Sequence, residues 1–252
     1  MQIVGTGPDL ALIHGWGLGS WVWQALLEPL SGRCRVHLVN LPGYGRAPAD
    51  GGDFAATARA MINALPEGVT LCGWSLGAML AMRAALLEPE RVAGLILVGS
   101  TARFTRRADW PAAQAPALLD SFLASVRQRP ERALQRFVAL LGQGDAEARM
   151  ITRTLLAGLR QAPVPDAEVL SRGLEWLRDI DLRLLVPAIA TRSLLIHGEN
   201  DSLNPVAAAS WLSQALPNAS LEILAETGHV PFLADPDRFV RLVNDFCHAA
   251  AA

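Results

Sequence analysis

The chain has 252 residues, of which 51% are hydrophobic and 18% charged, and a formal net charge of −2. That length supports one substantial core, and the composition excludes a disordered or fibrous protein. No apolar run approaches the roughly 20 residues of a membrane span, and "MQIVGTGPDLALIHGWG" lacks a basic n-region and a separate apolar h-region, so no secretion signal is expected.

Residues 10–14 ("LALIH") read as a buried strand, followed by the glycine-broken turn "GWGLGS". Residues 21–30 read as helix, and "RVHLVNLPGYG" as a strand running into a Pro/Gly loop. Helix is expected over 54–65, strand over 69–73, helix over 76–88, and another strand in "RVAGLILVGS". From about 104 to 180 no strand pattern remains, only helical periodicity broken by prolines 111, 116, 130, 163 and 165. Alternation resumes with "RSLLIHGEND", a helix at 205–215, "SLEILAETGH" and a terminal helix near 236–248. Short apolar strands alternating with helices predict an α/β fold, a mostly parallel sheet covered by helices on both faces. Residues 1–103 and 181–252 are expected to form its core, and 104–180 a helical insertion.

All 22 basic residues are arginine. Residues 103–178 carry 12 Arg against 8 Asp and Glu, a net of +4, while the remainder carries 10 against 16, a net of −6. A basic middle in an acidic protein points to a negatively charged partner for that segment, although no nucleic-acid module is recognisable. Arg132 with Arg136, and Arg149 with Arg153, are i,i+4 pairs, so each pair shares a helix face. Cys34, Cys72 and Cys247 are widely spaced in no metal-like pattern and read as buried thiols, which suits a reducing cytosol.

Gly73-Trp74-Ser75-Leu76-Gly77 fits the G-x-S-x-G elbow, with a strand before it and a helix after it. So tight a turn requires small flanking residues, lifts the Ser75 hydroxyl clear of the sheet, and sets the Leu76 N–H at a helix N-terminus where an oxyanion can form. A serine nucleophile needs a base. Of five histidines, His37 and His197 lie inside strand patterns, His14 closes the first strand, and His248 falls in a frayed C-terminal region. His229 follows the last strand, which brings it to the carboxyl edge of the sheet with Ser75. Asp201, just past the strand at 193–197, is the expected orienting carboxylate, with Glu199 as its rival. The order Ser75…Asp201…His229 is that of an α/β-hydrolase triad. The Trp16 N–H, in "HGWG", is the expected second oxyanion donor, with its indole lining the acyl pocket.

Over almost its whole length the chain resembles the α/β-hydrolase superfamily, and within it the pimeloyl-[acyl-carrier protein] methyl ester esterases of biotin synthesis. "LIHGWGLGSWVWQ", "VHLVNLPGYGRA", "LCGWSLGAMLA", "PERVAGLILVGSTARF", "DWPA", "RFVALL", "GLEWLRDIDLR" and "TGHVPF" carry the resemblance. It departs in a short start and in the valine after His229, where alanine is more usual. The resemblance implies a helical cap on a hydrolase core, a triad of Ser75, Asp201 and His229, and substrate contact by Trp16 and Leu76. Phe137, Val138, Ala139, Leu140 and Leu141 would line the acyl channel, and Arg132, Arg136, Arg149 and Arg153 would face an acidic acyl carrier protein. It implies no metal or organic cofactor, a cytoplasmic monomer, and no nucleic-acid or membrane partner. The competing readings are a promiscuous short-chain carboxylesterase or lactonase of the same fold, and a non-catalytic ligand receptor.

Overall fold

A computed structural model describes residues 1–249, and the last alanines, 250–252, lie outside the described residues. Its strands are β1 (Gln2–Val4), β2 (Asp9–Ile13), β3 (Arg35–Val39), β4 (Val69–Trp74), β5 (Val92–Val98), β6 (Ser193–Gly198) and β7 (Ala219–Leu224). They form a single sheet in the order β1-β3-β2-β4-β5-β6-β7, in which only β1 runs antiparallel to its neighbour. The central strands are apolar throughout because both of their faces are covered: β4 and β6 are buried at every residue.

The helices α1 (Leu27–Ser31), α2 (Phe54–Asn63), α3 (Leu76–Leu87), α8 (Val206–Ala215), α9 (Pro231–Ala234) and α10 (Pro236–Ala249) belong to the sheet layer. The α2 helix begins where the Asp53 carboxylate accepts the Ala56 N–H at 2.7 Å, an N-cap that satisfies one otherwise orphaned donor. The expected helix over 21–30 is a 3₁₀ segment, Ser20–Leu26, leading into the short α1. Pro29, the third residue of α1, has no N–H to return to the residue 25 carbonyl, so the α-helix does not extend back through residue 25. The C-terminal region, expected to fray, is helical through Ala249, with His248 half-buried in α10. Cys34, Cys72 and Cys247 are free and buried. Among the described residues no helix is long and apolar enough to cross a membrane.

Between β5 and β6 the chain leaves the sheet and forms α4 (Pro116–Gln128), α5 (Pro130–Leu141), α6 (Ala148–Gln161) and α7 (Ala167–Asp179). The excursion starts and returns at one point, where Arg103 and Asp181 form an antiparallel bridge and the Leu182 N–H donates to the Ala102 carbonyl at 2.9 Å. Each helix is amphipathic. In α4 the buried positions are Leu119, Phe122, Leu123 and Val126, the i, i+3, i+4, i+7 stripe of a helix with one covered face. The α4 helix packs on α5 and α7, and α5 packs on α6.

Leu95 lies in β5, is fully buried, and sits between β4 and β6. Leu95→Ala should therefore lower the unfolding free energy by about 3 kcal/mol without changing the denaturant slope. Urea titration followed by fluorescence checks this, and a loss under about 1 kcal/mol would show that the sheet centre is less tightly packed than described.

Candidate active site

The sheet order decides which loops meet. β2 and β4 are neighbours, and the partner pair Ile13 and Gly73 puts the loop after β2 beside the turn after β4. The strand order reverses here, and crevices open at such reversals on the carboxyl edge. β5, β6 and β7 follow on the other side, so the loops after β2, β4, β5, β6 and β7 lie along one edge in that order.

Ser75 stands between β4 and α3 with φ 55 and ψ −117. The flanking glycines are dictated by contact. A Cβ on Gly73 would lie 2.4 Å from the Gly77 carbonyl oxygen, and one on Gly77 would lie 2.6 Å from the carbonyl oxygens of both Ile13 and His14. The Ser75 N–H donates to the Val98 carbonyl at 2.9 Å, tying the turn to the end of β5. The Leu76 N–H is the first of α3 and therefore has no acceptor within the helix. A Cβ on Gly15 would come 3.2 Å from the Ser75 Cβ, so the 14–17 loop lies directly against the serine.

The Asp201 carboxylate is buried and fully engaged. Oδ2 accepts from His229 Nδ1 at 2.7 Å, while Oδ1 accepts the N–H groups of Leu203 and Asn204, each at 2.9 Å. That hydrogen bond puts an imidazole proton on Nδ1; Nε2 is buried with no hydrogen-bond partner among the described residues. The rival carboxylate, Glu199, is exposed and accepts the Glu226 N–H at 3.2 Å. His229 packs against the end of β5, since a Cβ on Gly99 would lie 3.2 Å from His229 Nδ1.

Two supports of this cluster were not identified from the sequence. The Trp74 indole N–H donates to the His229 carbonyl at 2.9 Å, so the residue before Ser75 also pins the histidine loop. Asn204 links the aspartate loop to β5 through a 2.7 Å bond from Nδ2 to the Gly99 carbonyl. The polar string "NDSLN" was the available signal for Asn204, whereas Trp74 gave none beyond its position.

The other histidines serve the scaffold. His37 on β3 pairs with Asp9. His197 on β6 donates from Nε2 to the Asn204 carbonyl at 2.7 Å, and burial holds its pKa below the usual imidazole value. His14 holds the loop after β2: Nδ1 donates to the Gly15 carbonyl at 2.7 Å and Nε2 accepts the Leu41 N–H at 3.1 Å. A carbonyl cannot donate and an amide N–H cannot accept, so this imidazole is neutral, and burial pushes its pKa down to about 4. The Tyr44 hydroxyl accepts the Gly17 N–H at 3.1 Å, completing the lower support of the loop.

The Trp16 side chain is buried among helices of the insertion, with its indole N–H on the Leu170 carbonyl at 2.8 Å. Of the run 137–141, Phe137 meets Trp16 edge-on with ring centroids 4.8 Å apart. Val138 and Leu141 are buried, Leu140 is half-buried, and Ala139 is exposed. Five consecutive helical residues span more than a full turn, so these five do not share one face of α5. Arg132, Arg136, Arg149 and Arg153 are exposed on α5 and α6, and none is within 4.0 Å of a carboxylate among the described residues. Arg136 stacks on Phe122 at 5.0 Å. Arg149, Arg153 and Arg160 line a shallow groove of about 450 Å³ along α6.

A profile described as the alpha/beta hydrolase family matches residues 10–242. A pimeloyl-[acyl-carrier protein] methyl ester esterase of Nitrosomonas europaea is 38% identical over 241 residues, which is 95% of this chain and 96% of that protein. One of Serratia marcescens is 39% identical over 250 residues, covering 98% and 97% respectively. An esterase from Exiguobacterium antarcticum has the same fold, with a TM-score of 0.88 at 24% identity over 98% of this chain and 94% of that one.

The neutral state of His14 has a consequence in acid. Below pH 6.5 the unfolded chain takes up a proton that the folded chain refuses until about pH 4, so stability falls as pH drops through that window, by about 3 kcal/mol in all. Urea unfolding of wild type and His14→Gln at pH 6.5 and 4.5 checks this. The variant should be less stable at pH 6.5 and lose less on acidification; equal losses would contradict the assignment.

Proposed function

This chain belongs to the alpha/beta hydrolase family, and from that premise we propose that it hydrolyses pimeloyl-[acyl-carrier protein] methyl ester to pimeloyl-[acyl-carrier protein] and methanol. The carrying observation is the buried Asp201–His229 bond, which leaves His229 Nε2 unpartnered among the described residues, in a loop pinned by the residue before Ser75. In this reading Nε2 takes the Ser75 proton as Oγ attacks the ester carbonyl. The N–H groups of Trp16 and Leu76 hold the oxyanion, each contributing about 3 kcal/mol to lowering the barrier. His229 then protonates the leaving methoxide, and water activated by the same nitrogen releases the carboxylate. Asp201 holds the imidazole in its Nδ1–H form and stabilises the imidazolium in each half-reaction. Ser75 is 7% and His229 1% exposed, so the charges develop where water screens them least.

The carrier assignment rests on two further supports: the full-length relatives carry that name, and α5 and α6 present arginines without carboxylate partners among the described residues. The segment 104–180 then serves as the cap over the serine and as the docking face for an acidic carrier in the cytoplasm. A carrier that docks electrostatically gives a salt-sensitive rate, whereas a small neutral ester does not.

Arg132→Glu combined with Arg149→Glu should lower kcat/KM on the carrier-linked ester by at least about tenfold while leaving p-nitrophenyl butyrate turnover within about twofold. Steady-state kinetics at low and high salt check this. Equal efficiency on both substrates in the wild type, with no salt effect, would favour a general short-chain carboxylesterase. Failure of a fluorophosphonate to label Ser75 would favour a non-catalytic receptor.

A further inference from the structure

The loop that holds the Trp16 amide is gripped from two sides. From the core, His14 fixes the Gly15 carbonyl and Tyr44 fixes the Gly17 N–H. From the insertion, the grip is the Trp16 indole. Its N–H donates to the Leu170 carbonyl on α7, a buried bond between residues 154 apart in sequence. Its ring meets Phe137 of α5 at 4.8 Å and 82°, and Phe122 of α4 at 6.1 Å and 78°. Gly173 of α7 closes the remaining edge: a Cβ there would lie 2.6 Å from Trp16 Cδ1 and 3.6 Å from Leu76 Cδ2. A side chain lining a substrate pocket would keep one face open, yet Trp16 is 1% exposed and its polar atom is already bonded.

We propose that the Trp16 indole is a clasp through which the seating of α4, α5 and α7 sets the oxyanion hole. The inference rests on the reading that the Trp16 N–H is an oxyanion donor. The indole and the amide share one α-carbon, so a shift of α7 that drags the ring also swings the amide away from the position above Ser75. Leu76, the other donor residue, meets the same glycine of α7 through its side chain. Trp16 is thus a positioning residue through its side chain, separate from the donor role of its backbone. The clasp also links the docking face to the chemistry: the arginines proposed to meet the carrier sit on α5 and α6, and α5 carries the Phe137 that Trp16 touches. A partner that steadies the insertion steadies the amide.

The clasp can be loosened from either end. Trp16→Phe keeps an aromatic ring but removes the indole N–H that meets the Leu170 carbonyl. Gly173→Ala acts from the insertion, pushing the indole while leaving Trp16 in place, and alanine is favourable in a helix. Kinetics on p-nitrophenyl butyrate, which needs no carrier, should show each variant losing about tenfold or more in kcat with KM within about twofold. The double variant should lose less than the product of the two single losses, because both substitutions loosen the same link. A fall in thermal midpoint with wild-type kcat would overturn the clasp in favour of simple cap packing. A rise in KM alone would overturn it in favour of a pocket lining. If Ser75→Ala left wild-type turnover of the ester unchanged, the esterase reading itself would fail, and the inference with it.

Discussion

The turn at Ser75 holds a non-glycine residue at φ 55 and ψ −117, a conformation that costs on the order of 1–3 kcal/mol and persists only where its surroundings leave no alternative. Here the surroundings are backbone. Gly73 meets the Gly77 carbonyl, and Gly77 meets the carbonyls that end β2, at distances no Cβ could share. Such contacts require β2 and β4 to be neighbours with Ile13 opposite Gly73. The strand order, the register and the two glycines are therefore one constraint seen at three scales, and the placement of the 14–17 loop against the serine follows from it.

The same edge explains how a buried carboxylate is tolerated. Among the described residues Asp201 has no arginine partner; three N–H donors hold it instead, two from its own loop and one from His229. Such an arrangement satisfies both carboxylate oxygens and fixes the orientation of the imidazole. Trp74 at the end of β4 and the Gly99 carbonyl just past β5 brace the histidine and aspartate loops, so the cluster is tied to two adjacent strands.

Much of this was legible in the sequence because it is local. The elbow pentapeptide, the apolar strands, the loss of strand pattern after 104 and the order Ser75, Asp201, His229 are all written in short spacings, and the strand order then carries the three residues to one edge. Position along the loop favours Asp201 over Glu199, two residues away, and the turn at Leu203 and Asn204 supplies the physical reason, turning the Asp201 carboxylate inward. Contacts between distant segments left no trace. The indole of Trp16 meets a carbonyl on α7, and a carbonyl is a feature every residue type has. The run 137–141 spreads round α5 with the helical period, with Val138 and Leu141 buried and Ala139 exposed. Pro29, which splits the helix expected over 21–30, was in plain view.

The central claim concerns which of two carbonyls is attacked, since a carrier-linked methyl ester offers a thioester as well as an ester. Intact mass spectrometry of pimeloyl-[acyl-carrier protein] methyl ester after incubation with the enzyme reads this directly. The account predicts a carrier that keeps its acyl chain and loses the mass of one CH₂ as methyl is replaced by hydrogen, with no change in the presence of Ser75→Ala. Release of the free carrier thiol, or an unchanged carrier with active wild-type enzyme, would contradict it.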